Sequence, residues 1–198
     1  LPLAVFFGIA VSLLAFTGSP WLTNSPPASL QTDAKVPTPE SEPGVINPVF
    51  QETLKLADGE LQVSMEKNVL KVGEDLLSFW LRSPWDGYVV VHVLSSDQSL
   101  VRLLPNARTP EVMIRAGQDL HLPPVDEPIL AAGPPGTNQF LVTVTEQPRS
   151  HGHLEIRIQD GFGLITGMAR QLEGISNCQL GGCRDRLAAT WFAIEEVK

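Results

Sequence analysis

The densest alternation of apolar and polar positions runs from Gly73 to Asn106. Leu77, Phe79 and Leu81 share one face at period two. Val89, Val91 and Val93 do the same, and Val101 and Leu103 repeat the pattern. Side chains alternate across an extended strand, so this period predicts strands over Asp75–Arg82, Tyr88–Leu94 and Leu100–Leu104. Ser83 to Gly87 (SPWDG) predicts the first turn, because Pro84 presets φ and Asp86-Gly87 favours a tight return. Ser95 to Gln98 predicts the second. Val89 to Val91 is apolar without interruption, as expected of a strand covered on both faces.

The pattern continues on either side of this meander. Leu61, Val63 and Met65 alternate with Gln62, Ser64 and Glu66. Short strands are predicted over Glu111–Ile114 and Leu120–Leu122. Phe140, Val142 and Val144 are expected to point inward, with Thr143 and Thr145 outward. Leu154, Ile156 and Ile158 read the same way against Glu155 and Arg157. A last strand is expected over Ala188–Val197, with Phe192 and Ile194 inward. Ile165, Met168, Leu172 and Ile175 recur at helical spacing and predict a helix from Gly163 to Glu173, stopped by Gly174. Many short strands, turns rich in Gly and Pro, and one helix predict a mainly β domain: a β-sandwich or partly open barrel with one C-terminal helix.

The first 48 residues follow neither period. Leu1 to Phe16 (LPLAVFFGIAVSLLAF) carries no charge, and the next charged residue is Asp33. As a helix this run spans roughly 24 Å, and continuing it to Leu22 brings it to the roughly 30 Å of a bilayer core, with Trp21 at the interface. Residues 1–22 therefore predict a transmembrane anchor; the apolar part of a secretory signal is the other open reading. Residues 23–48 hold Pro26, Pro27, Pro37, Pro39, Pro43 and Pro48 among Ser, Thr, Glu and Asp. Proline lacks the amide donor, and Ser and Thr compete for backbone bonds, so an extended linker is expected here. The β-rich globular domain is assigned to residues 49–198.

Composition narrows the partners. The 198 residues are 43% hydrophobic, enough for a real core, and carry a formal net charge of -8, from 22 acidic residues against 14 Lys and Arg. An acidic chain is repelled by phosphate backbones, so nucleic acid is not expected as a partner.

Candidate chemistry is sparse. Cys178 and Cys183 enclose Gln179 to Gly182 and predict a small disulfide loop in an oxidising compartment. Zinc would need about four ligands, which no neighbouring residues supply. His151 and His153 lie on one side of an extended segment and offer two metal ligands without a third. His92 falls on the Tyr88 and Val90 face of the central strand. No GxSxG elbow, GxGxxG or Walker-type loop occurs, and Gly161, Gly163 and Gly167 form no such fingerprint. No cofactor and no catalytic residue are therefore expected, and the chain does not read as an enzyme. Trp85 and Tyr88, at the SPWDG turn, and Asn106, after Pro105, are the candidate partner-binding residues. At Trp85 an exposed aromatic anchor competes with a ring folded over the sheet edge.

The order of short motifs adds a resemblance. KVGEDLLSFWLRSPWDGYVVVHV is followed by LVRLLPN, IRAGQDLHLP and AAGPPGTNQFLVTVT. Over Leu61 to Gln147 this resembles a bacterial family, domain of unknown function 4384. The resemblance implies an accessory sensing or interaction module, joined in some members to Ser/Thr kinase or caspase-like domains or found near type VI secretion components. It carries over no catalytic residues. With the anchor and linker, the expectation is a single-pass protein of the bacterial inner membrane. Its head would lie in the periplasm and bind a protein or cell-envelope component. A hydrolase using His92 or a cysteine, and a structural spacer in a secretion machine, are the rival readings.

Overall fold

The structure, a computed structural model, describes residues 45–178 and 183–198. The anchor assigned to residues 1–22, and the linker as far as residue 44, lie outside the described residues. Among the described residues no helix is long and apolar enough to cross a membrane.

Among the described residues one short helix, α1 (Pro48–Lys55), opens the fold. Asn47 caps it by accepting a hydrogen bond from the Val49 N–H, and Pro48 occupies a first-turn position where its missing N–H costs nothing. The end of the expected linker is thus part of the head. The Asn47 N–H donates to Gln139 Oε1, and Gln139 Nε2 donates to the Val45 carbonyl, both at 2.9 Å.

Twelve strands follow among the described residues: β1 (Gly59–Glu60), β2 (Gln62–Ser64), β3 (Val69–Lys71), β4 (Phe79–Arg82), β5 (Gly87–Leu94), β6 (Leu100–Leu104), β7 (Met113–Ile114), β8 (Asp119–Leu122), β9 (Gly136–Thr145), β10 (Ile156–Gln159), β11 (Phe162–Ile165) and β12 (Leu187–Val197). Nine form a mixed sheet in the order β1-β12-β9-β5-β6-β11-β10, with β3 also pairing β12 and β7 pairing β5. The other three form a small sheet, β2-β4-β8. β1 and β3 run parallel to β12, while β9 runs antiparallel to it over ten residue pairs.

The large sheet is buried on both faces. On the first face, Val89, Val91 and Val93 of β5 and Val142 and Val144 of β9 share one core with Phe79 and Leu81 of the small sheet and Leu122 of β8. Phe192 belongs there too, stacked on Phe140 with ring centroids 4.9 Å apart. On the second face, Phe50 of α1 joins Leu141, Leu154, Ile165 and Leu172. That face takes Thr143 and Thr145 with it, exposed by only 1% and 3%. The expectation that both threonines face outward fails because a helix and a loop cover what looked like a free face.

The predicted helix over Gly163–Glu173 is absent. Phe162–Ile165 is a strand instead, paired with β6 and β10. Asp160 (φ 51°) and Gly161 (φ 90°) make the two-residue turn between β10 and β11. Two successive positive φ values need a residue pair such as Asp-Gly, a strong hairpin signal. Residues 166–174 then cross the second face irregularly. Ile165 and Leu172 are buried but Met168 is 73% exposed, so the helical spacing was coincidental. Ile158, expected inward, is 61% exposed on the edge strand β10.

Candidate functional site

The two sheets differ in width, and the difference leaves a cleft. The small sheet cannot cover the whole first face of the large one. Beyond it, β5, β6 and β11 present Val93, Val101, Leu103, Phe162 and Leu164 as an apolar floor. Phe162 and Leu164 are half-buried, whereas Gly163 and Ile165, alternating with them on the second face, are buried. The opposite wall comes from Leu70, Leu77 and residues 129–133. This wall is held by backbone pairing: Leu77 N–H to the Ile129 carbonyl (2.9 Å), Gly73 N–H to the Ala131 carbonyl (2.8 Å) and Ala131 N–H to the Asp75 carbonyl (2.9 Å). The space within the cleft measures about 120 Å³.

Polar groups at the cleft are few. Asn138, Ser95, Gln159 and Glu196 line it. Glu196 reaches it because β12 alternates: Phe192, Ile194 and Glu196 fall on one face, with Glu196 beside Gly136 of β9 and Leu70 of β3. The Gly133 N–H donates to Glu196 Oε2 at 2.7 Å. Burial raises the Glu196 carboxyl above the ordinary carboxylate range, opposed by the hydrogen bonds from Gly133 and Asn138. Among the described residues it forms no salt bridge, and Lys71, opposite Val197 on β3, is paired with Glu74.

The residues singled out in the sequence go to other places. Trp85 is not an exposed anchor. It is 8% exposed, belongs to the first-face core and lies under the Arg186 guanidinium, 4.2 Å from its centroid. Of exposure and burial, burial is the one observed for this residue. Tyr88 is half-buried in β5, opposite Met113 and Thr145. Asn106 is spent on its own turn: its Oδ1 accepts from the Arg108 and Thr109 N–H groups, and its Nδ2 donates to the Leu103 carbonyl. Gly87 contributes less to the turn than to sheet packing, since a Cβ there would meet the Thr145 carbonyl oxygen at 2.5 Å.

His92 is fully buried, and burial pushes its pKa down to about 3. Its ring centroid lies 6.3 Å from that of His151, with Arg102 opposite it on β6. His151 and His153 do not converge on one point. Each bonds through Nε2 to a different carbonyl, Leu172 and Arg170, tying the 151–153 turn to the covering loop. Among the described residues no three His, Cys, Asp or Glu side chains come together as a metal site. Cys178 and Cys183 are joined in a disulfide, with Cα atoms 5.6 Å apart.

Sequence reasoning missed the cleft because it depends on which part of a face stays uncovered. One signal for Glu196 was available. Period two from Phe192 and Ile194 puts a carboxylate at the next inward position, a placement that calls for a reason.

Fold and cleft together define a mainly β domain of mixed sheets, carrying a small apolar site with one carboxylate at its wall. Residues 69–148 match the family described as Domain of unknown function (DUF4384). The match runs from β3 to just past β9 and takes in the cleft wall and the central strands. Gln159, Phe162, Leu164 and Glu196 lie outside it. No curated protein and no solved structure matches the chain.

Proposed function

We propose that the chain is a non-catalytic interaction or sensor head, tethered to the bacterial inner membrane and working on its periplasmic side. Its two-sheet body is best read as an unequal β-sandwich. It recognises an apolar group of a protein or cell-envelope component in the cleft between β6, β11 and residues 129–133. The uncovered apolar strip carries this reading: half-buried Phe162 and Leu164 beside a preformed wall. A concave, apolar, largely pre-formed site with a few convergent polar groups is the usual form of a ligand site. The apolar run at residues 1–16, the proline-rich segment after it and the disulfide favour the tethered, oxidising setting. A hydrolase built on His92 or a cysteine has little to recommend it, since the imidazole is sealed and the two thiols are joined. An accessory role beside a kinase-like or secretion component is the larger context favoured by the family resemblance.

The test uses the full chain in detergent micelles with labelled Leu and Val methyl groups. Propylbenzene should shift the Val101, Leu103 and Leu164 methyl signals saturably. Leu164→Arg should abolish the shifts while leaving the rest of the spectrum intact. Absent shifts, or shifts that survive the arginine, would overturn the cleft as the binding site.

A further inference from the structure

We infer that the cleft takes a small amine: one ring or one short branched hydrocarbon body carrying a protonated nitrogen that pairs with Glu196. The inference rests on the cleft being the binding site and adds the ligand's chemical class. Size comes first. About 120 Å³ of space is near the roughly 150 Å³ of an apolar cavity that holds one benzene, and is too small for an acyl chain. Lining comes second. Leu70, Val93, Leu103 and Phe140 are buried, so the inner end of the cleft rewards a hydrocarbon.

The third observation is charge. Glu196 is the one acidic or basic side chain among the described residues that line this cleft. Its Oε2 accepts the Gly133 N–H, and Asn138 holds it from β9. A carboxylate has about four acceptor positions, so these bonds orient it and leave acceptors free. Among the described residues it has no cationic partner, although the protein pairs Asp75, Asp119, Glu127, Glu146 and Asp185 with basic side chains. An ammonium on the ligand supplies the missing charge, through a charge-assisted hydrogen bond stronger than a neutral one. An anionic ligand would meet the carboxylate unfavourably. Glu196 lies outside residues 69–148, so the preference for a cation belongs to this chain's C-terminal strand and not to the family segment.

Glu196→Gln tests this with little disturbance, because a glutamine oxygen can still accept the Gly133 N–H. The full chain, methyl-labelled as above, is titrated with 2-phenylethylammonium and with propylbenzene, a neutral molecule of similar shape. Expected is an approximately tenfold loss of amine affinity in E196Q, with propylbenzene binding unchanged. If E196Q weakens both probes equally, or neither, the cation assignment is overturned and the apolar cleft stands. If neither probe shifts the cleft methyl groups in the unmodified chain, the cleft reading falls and this inference falls with it.

Discussion

Lowering the pH from 7 to 5 should cost the domain about 2 kcal/mol through His92 alone. The ring is sealed between β5 and the loop over the second face, with 0% exposure. Burial, with His151 and Arg102 nearby, depresses its pKa from 6.5 to about 3. Below pH 6.5 the unfolded chain therefore binds a proton that the folded chain refuses. Stability is fully present above the unfolded pKa and falls by about 1.4 kcal/mol per pH unit until the folded pKa is reached. Burial also lowers the His151 pKa, and that residue acts in the same direction. Asp75 and Glu146 are held low by their hydrogen bonds to Lys67 and Arg186, so their contributions are lost at more acid pH. Glu196, raised by burial, acts with the opposite sign.

A comparison with His92→Leu removes these shared terms. Leucine is apolar and of similar size, and it would sit opposite Leu141 in the same cluster. Neither ring nitrogen of His92 has a hydrogen-bond partner among the described residues, so the substitution breaks no bond of that kind. Urea unfolding followed by tryptophan fluorescence at pH 7, 6 and 5 gives the stability of each form. The variant should gain on the unmodified protein by about 2 kcal/mol across that range. Parallel loss of stability in both proteins would refute the reasoning, since it would mean that His92 is protonated as readily folded as unfolded.

Three further outcomes follow from the same geometry. Trp85→Ala should destabilise by about 3–5 kcal/mol, because it removes a core side chain from under Arg186. A loss below about 1 kcal/mol in urea unfolding would mean that the ring carries little of the core. Reducing Cys178–Cys183, which lie five residues apart, should cost about 2 kcal/mol and lower the melting temperature by roughly 4–8 °C in calorimetry; an unchanged melt would show that the loop is not constrained in the unfolded chain. In sealed membrane vesicles of known orientation, protease should digest the head from the periplasmic side only; digestion from the cytoplasmic side alone would refute the proposed topology.

The period-two pattern made much of the fold legible. It placed β5, β6 and β12 nearly residue for residue and found the inward set of β9. These strands are long or strongly apolar, so local alternation is enough to fix their faces. It failed where one pattern serves two structures. Ile165, Met168, Leu172 and Ile175 satisfy a helical period, but Asp160-Gly161 makes a hairpin and commits Phe162–Ile165 to β11. The turn chemistry was present in the sequence and outweighs the spacing. It also failed at α1, where Asn47-Pro48 is a capping signal embedded in a run of prolines that reads as linker.

The cleft lay beyond that kind of reading for a physical reason. Alternation states which side chains share a face but not how much of the face another layer covers. Coverage here is set by long-range pairing: β12 joins β1, β3 and β9 from opposite ends of the chain, and β11 and β10 extend the sheet past the reach of β2-β4-β8. The same width accounts for both faces. Where the small sheet lies, Trp85 and Phe79 are core. Where it stops, Phe162 and Leu164 are half-buried and Glu196 stands at the cleft wall. The block from Gly73 to Asn106 that dominates the sequence pattern is thus mostly scaffold. It lends Val93, Val101 and Leu103 to the cleft floor, while the polar end of the site comes from the last strand of the chain.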